Sequence, residues 1–241
     1  PPVPALEALQ AEPGLWRVDS EGAIHANLGE VYRLEDLSGI SPLRPKAWSA
    51  LRELGRPRAW QLAGVRYVLS NAPREEAGLT LLAELPEGTI PRQNGPLWLY
   101  RYEEALPRAR LIYQVVRAQD EAEAWALLRE EAFDLRREVI VPLAAPSLPQ
   151  EGWPAVEGQA MARRLDARTL EIDIETPRDA YLVVSEWRYP GWRATLDGRP
   201  TPLYAANAVY QAVYIPAGAH HLRLRYTMPE AWLGGGLALA A

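Results

Sequence analysis

From residue 160 onward, apolar side chains recur at every second position. Leu170, Ile172 and Ile174 alternate with Glu171, Asp173 and Glu175; Tyr181, Val183 and Ser185 alternate with Leu182, Val184 and Glu186; Leu222, Leu224 and Tyr226 alternate with His221, Arg223 and Arg225. Successive side chains of an extended strand point to opposite faces, so this period predicts several strands with one solvated face. Asp197-Gly198, between Trp192 to Leu196 and a second extended run, is a strong short-range hairpin signal, and Pro216 to Gly218 marks another turn. Short strands repeating at about ten-residue spacing predict an all-β C-terminal module over residues 160–229, a small β-sandwich of jelly-roll type.

The chain before that module reads differently. Ala5 to Gln10 can start a short helix, Leu15 to Val18 alternate like a strand, and Trp48, Leu51 and Leu54 lie at helical spacing ahead of Gly55, a residue suited to a C-terminal cap. Val65 to Leu69, Leu79 to Leu85 and Leu97 to Tyr102 are strand candidates separated by turn-forming residues. Leu111 to Val116, a helix from Glu121 to about Glu131, and Val139 to Val141 give a strand, helix, strand pattern; Asp120 is a suitable N-cap with Glu123 three residues on, resembling a capping box. Residues 1–145 are therefore assigned to an α+β region. Residues 146–159, with Pro146, Pro149, Gly152, Pro154 and Gly158, have the composition of a connector.

Composition narrows the function classes. A net charge of -5 over 241 residues provides no basic face for neutralising phosphates, which sets nucleic-acid binding aside. Lys46 is the only lysine and there is no cysteine, so disulfide and thiol chemistry are excluded, although this identifies no compartment. Pro1, Pro2, Val3 and Pro4 lack the charged and apolar regions of a signal peptide, and the chain is expected to begin inside a longer protein. Residues 230–241 are uncharged and apolar after Glu230, too short for the roughly 20 residues of a membrane span. They read as a loose terminus or as the first turns of a truncated transmembrane helix, with Trp232 at the interface.

The run from Ser185 to Tyr226 carries a YPGW corner at Tyr189 to Trp192, the Asp197-Gly198 turn, an Ala206-Asn207 step before Val209 to Ile215, and the Pro216 to Gly218 turn. In these features it resembles the C-terminal extracytoplasmic region of the bacterial YfhO family of multi-pass membrane proteins. Gly64 to Leu69 and Leu106 to Ala109 also fit that family, as do Leu15 to Val18, Asn27 and the Gly39 to Leu43 region. The resemblance spans most of the chain and is weakest between about residues 120 and 165. It implies a parent protein that looks like a membrane-embedded glycosyltransferase using polyprenyl-phosphate sugars, with its catalytic carboxylate in an early loop outside these residues. It further implies the bacterial cell membrane, with this region on the extracytoplasmic side and residues 230–241 starting a membrane helix.

No residue pattern marks an active site, and no catalytic residue, metal ligand or cofactor is assigned. His25, His220 and His221 lack the spacing of a zinc site, and adjacent strand residues such as His220 and His221 point to opposite faces. Glu171, Asp173 and Glu175 share one strand face and read as a solvated face, while Asp197 reads as a turn former. Trp187, Tyr189, Trp192, Tyr204, Tyr210 and Tyr214 form an aromatic cluster on which a sugar ring could stack, with Arg193, Asn207 and Gln211 as polar neighbours. The competing explanation is packing, because large aromatics dominate the cores of small sandwiches. Trp187, Tyr189, Trp192, Arg193, Asn207, Tyr210 and Gln211 are the candidate glycan-binding residues. The expected role is a non-catalytic domain that binds or orients a cell-wall glycan or lipid-linked acceptor. The alternatives are a structural module docking on its own transmembrane bundle or on a partner, and an independent hydrolase.

Overall fold

The computed structural model describes residues 3–10, 12, 14–25, 28–37, 46–149 and 153–227. The chain is mostly β, with several antiparallel sheets, and divides into two compact units, Pro1–Arg108 and Ala109–Ala241. Among the described residues, no helix is long and apolar enough to cross a membrane. The membrane-helix expectation for residues 230–241, and the family features at Asn27 and Gly39 to Leu43, lie outside the described residues.

The first unit runs α1 (Pro4–Gln10), β1 (Arg17–Asp19), α2 (Leu28–Val31), α3 (Lys46–Glu53), α4 (Arg56–Ala63), β2 (Val65–Ser70), β3 (Leu79–Leu85) and β4 (Leu97–Tyr102). Its four-stranded sheet has the order β1-β2-β4-β3; only the β1–β2 pair is parallel, because α3 and α4 carry the chain back between them. Val3, just ahead of α1, and Leu6 and Leu9 on it are buried in a core with Val18, Tyr67 and Leu99. The helix expected from Trp48, Leu51 and Leu54 is α3. Directly after Gly55 comes α4, which accommodates Pro57 because the first helical turn has no use for that N–H. Gly64 ends α4 in the left-handed region at φ 69°, and a Cβ there would stand 2.6 Å from Arg108 Cγ, so the sharp entry into β2 requires glycine.

The second unit begins with β5 (Ala109–Ile112), β6 (Gln114–Ala118), α5 (Glu121–Arg129) and β7 (Glu138–Pro142). It continues with β8 (Gln159–Asp166), β9 (Thr169–Thr176), β10 (Ala180–Val184), β11 (Trp192–Leu196) and β12 (Arg199–Thr201), and ends with β13 (Tyr204–Ala206), β14 (Tyr210–Ile215) and β15 (Gly218–Tyr226). One sheet has the order β13-β14-β10-β5, a second β12-β11-β15-β9-β8, and β6 pairs in parallel with β7 across α5. Asp120 Oδ1 accepts from Glu123 N at 2.9 Å, and Glu123 Oε2 reaches back to Gln119 N at 2.6 Å, so the capping box closes one residue earlier than its usual form. Asp197 and Gly198, at φ 51° and 77°, make the hairpin turn between β11 and β12. Pro216 and Ala217 carry the chain from one sheet to the other, where Ala217 N donates to Asp179 Oδ1 at 2.9 Å.

Two expectations need correction. The boundary does not fall at residues 145–146: β5 pairs with β10, so residues 109–145 belong with the strands that follow. The described residues at the two ends of the proline-rich stretch are hydrogen-bonded to residues in or beside neighbouring strands. Arg117 donates to the carbonyls of Pro142, Ala145 and Pro146 at 3.0, 2.6 and 2.9 Å, Tyr181 donates to Pro146 O at 2.6 Å, and Gly158 N donates to Tyr113 Oη at 3.0 Å. The second correction concerns β10. It was expected to have a solvated face, yet all five of its residues are buried. Ile112, Tyr181, Val183 and Ala212 pack one face of its sheet against Val139, Val141 and Ala145, and Leu182, Val184, Val213 and Ile215, directed to the other face, are also buried. The alternation expected for β9 and β15 is observed: Ile172, Ile174, Leu222 and Leu224 are buried while Asp173, Glu175, Arg223 and Arg225 are exposed.

Candidate functional site

The aromatic cluster is largely interior. Tyr210 is fully buried, its ring centroid 5.7 Å from that of Trp187, and Tyr181 meets Tyr204 and Tyr214 edge-on at 6.2 and 5.9 Å. Trp192 is buried against Tyr226 at 5.4 Å. Gly191 lies under this corner with Thr227 O and the Tyr226 ring where a Cβ would go, and its own carbonyl accepts from Thr227 N at 2.9 Å. The YPGW motif is thus a packing device that ties β11 to the end of β15. Arg193 is exposed, and its guanidinium donates to the carbonyls of Pro190 and Trp192, both at 2.9 Å.

Asn207 and Gln211 are buried as well. Asn207, at φ 48°, uses its N–H and Oδ1 on the backbone C=O and N–H of Ile140, both at 2.9 Å, so one residue mimics a strand pair between the β13–β14 turn and β7. Gln211 is 1% exposed on β14. For Asn207, Tyr210 and Gln211 the surface assignment is therefore corrected: β14 and its turn are covered on both sides. Trp187, Tyr189 and Arg193 remain at the surface, with Tyr189 43% exposed. Near them, Arg188, Gln119, Asp120 and Glu121 rim a shallow cavity of about 210 Å³ floored by alanines, but Asp120 is committed to capping α5.

The charged sheet face is likewise occupied by its own neighbours. His221 Nδ1 pairs with Asp173 at 2.8 Å and His220 Nδ1 with Asp197 at 2.7 Å. Asp197 also accepts from His221 N at 2.8 Å, and the His220 and His221 hydrogen bonds together hold its carboxyl below the usual carboxylate range.

A larger pocket lies in the first unit, with a volume of about 330 Å³. It forms because α3, the turn at Gly55 and α4 present Trp48, Arg52, Arg56 and Trp60 toward the end of β1, where Asp19 sits. Asp19 is 4% exposed; its Oδ2 accepts from Trp60 Nε1 at 2.8 Å and its Oδ1 from Glu21 N at 3.1 Å. Both of these donors are neutral N–H groups, and a carboxylate oxygen can accept more than one hydrogen bond. Trp48 is half-buried, its Nε1 donating to Leu37 O at 3.4 Å, and Arg52 stands over its ring at 4.8 Å from the centroid. Arg56 pairs with Glu21 at 2.5 Å and Glu76 at 3.5 Å, while Arg74 pairs with the same two carboxylates.

This constellation combines an apolar indole wall, a buried acceptor and guanidinium donors. It suits a hydroxylated ring, whose C–H face stacks and whose hydroxyls require directed partners. Asp19 is the single carboxylate among the described residues that line the pocket, whereas glycoside hydrolysis ordinarily uses two. The helix periodicity around Trp48 and Leu51 was visible in the sequence, but the site was not. The available clue was Trp48, Arg52, Arg56 and Trp60 at four-residue steps; Asp19, contributed from a distant strand, had no local signal. In comparisons with known proteins, the chain matches no family model, no curated protein and no solved structure.

Proposed function

We propose that this chain is a non-catalytic binding region that holds a hydroxylated ring, of the kind found in glycans, in the pocket of its first unit. The observation that carries the reading is the buried Asp19 carboxylate beside the Trp48 and Trp60 indoles in that pocket. The motifs from Ser185 to Tyr226 support a YfhO-like setting: the extracytoplasmic side of a bacterial multi-pass, glycosyltransferase-like membrane protein. There the region would orient a cell-wall glycan or lipid-linked acceptor beside its own transmembrane bundle. In this reading the first unit is an α+β binding unit. The second is a β-sandwich of jelly-roll type, with β6, α5 and β7 added to it, serving as scaffold.

NMR shift titration of the whole chain with neutral mono- and oligosaccharides tests the proposal. Saturable shifts at the indole N–H of Trp48 are expected. Asp19→Asn, which keeps an acceptor but loses the charge, should weaken binding by about tenfold to a hundredfold. A folded wild-type chain that binds none of the sugars would refute the reading.

One observation favours docking instead. Leu81 and Leu82 are 48% and 42% exposed on β3, the edge strand of its sheet. Loss of association with the membrane portion in Leu82→Asp, with sugar binding intact, would support a docking role for this edge.

A further inference from the structure

We infer that the ring accepted by this pocket carries an anionic group, a carboxylate or a phosphate, which Arg52 receives. The inference rests on the proposed binding of a hydroxylated ring at the same site and adds the ligand's charge and orientation.

The charges around the pocket divide into compensated and uncompensated groups. Arg56 shares Glu21 and Glu76 with Arg74, so its charge is neutralised within the protein. Asp19 is supported by the Trp60 and Glu21 N–H groups. Arg52 is exposed, lines the pocket, and has no carboxylate partner among the described residues. Its contact with Trp48 holds the guanidinium over an aromatic face without consuming its in-plane N–H donors, which leaves them available for a bidentate acceptor.

Asp19 and Arg52 also fix a direction. The buried carboxylate repels an anion and attracts hydroxyl protons, so the hydroxylated edge of the ring turns inward and the acidic group turns outward to Arg52. The proposed ligand class is therefore a uronic acid or sugar phosphate held with its acid toward solvent.

The test titrates the whole chain with glucose, glucuronate and glucose 1-phosphate at low and high salt, using wild type, Arg52→Gln and Arg52→Lys. Circular dichroism would establish that each variant is folded. At low salt the anionic sugars should bind about tenfold more tightly than glucose, and this preference should shrink at high salt. In Arg52→Gln the ratio of anionic to neutral affinity should fall to about one, with Arg52→Lys in between. Comparing glucuronate with glucose 1-phosphate identifies the acid. Equal affinity for glucose and both anions in wild type would overturn the inference while leaving the pocket reading in place. A preference that survives Arg52→Gln would overturn the assignment to Arg52. Absence of binding by any of the sugars would overturn both readings together.

Discussion

The tyrosine cluster of the second unit and the Trp48 indole of the first are used in opposite ways. In the second unit, Tyr181, Tyr204, Tyr210 and Tyr214 meet ring to ring or bury their surface, and the neighbouring polar residue Asn207 is engaged with Ile140. In the first, Trp48 stands half-exposed beside Arg52 and near a buried carboxylate. The denser aromatic cluster is the less able to bind anything. What separates a platform from a core is whether the rings are covered or left at the surface, and composition does not record that.

The largest expected effect comes from breaking the core side of this contrast. Tyr181→Ala should destabilise the protein by about 3–5 kcal/mol in chemical denaturation, since it removes a fully buried ring. Trp48→Ala should change stability far less while abolishing the sugar-induced shifts. A Tyr181→Ala variant as stable as wild type would erase the distinction between the units.

Asn207→Ala comes next, at about 2–3 kcal/mol, because it strands the buried N–H of Ile140 and places alanine at φ 48°. Sugar binding by the protein that remains folded should be unchanged. A binding defect without a stability loss would return Asn207 to the ligand surface.

Arg110 offers a gain of about 1–3 kcal/mol on replacement by methionine. The residue is 7% exposed, none of its three guanidinium nitrogens has a hydrogen-bond partner among the described residues, and burial pushes its pKa down to about 10. Because the folded state holds this proton less tightly than the unfolded one, the penalty is fully present below about pH 10 and eases as pH rises beyond it. Arg110→Met should therefore raise the denaturation midpoint uniformly between roughly pH 5 and 8. A lower midpoint would show that the guanidinium is needed where it lies.

The smallest effect concerns the carboxylates held by the two histidines. Asp173 and Asp197 have depressed pKa values, so their contribution is present above the ordinary carboxylate range and is lost as pH falls through their lower folded values. Thermal unfolding should show a slight extra loss of midpoint on acidification, reduced in Asp197→Asn, which keeps a turn former in place. An identical pH profile for that variant would remove Asp197 from the account.

Local features were legible in the sequence where one segment contains all the information. The Asp197-Gly198 hairpin, the Asp120 cap and the amphipathic strands β9 and β15 belong to this group, because turn chemistry and side-chain period are local quantities. Features set by distant partners were not legible. Tyr181 to Glu186 looks like alternation on a half-buried strand, and nothing within it announces that Val139 and Val141 will cover one face. Leu111 to Val116 reads as one strand, yet the chain changes partners at Tyr113, β5 joining β10 and β6 joining β7. The pocket failed for the same reason, since Asp19 and Trp60 meet only in the folded chain.

The pairing of β5 with β10 also orders events in time. Every strand partner in the first unit's sheet lies before residue 103, so that sheet can assemble while the rest of the chain is still being synthesised. Ala109–Ile112, by contrast, must wait for Ala180–Val184 and then for β14 before its sheet exists, a high-contact-order closure that is intrinsically slow. During that interval the strands of the second unit are the ones open to mispairing.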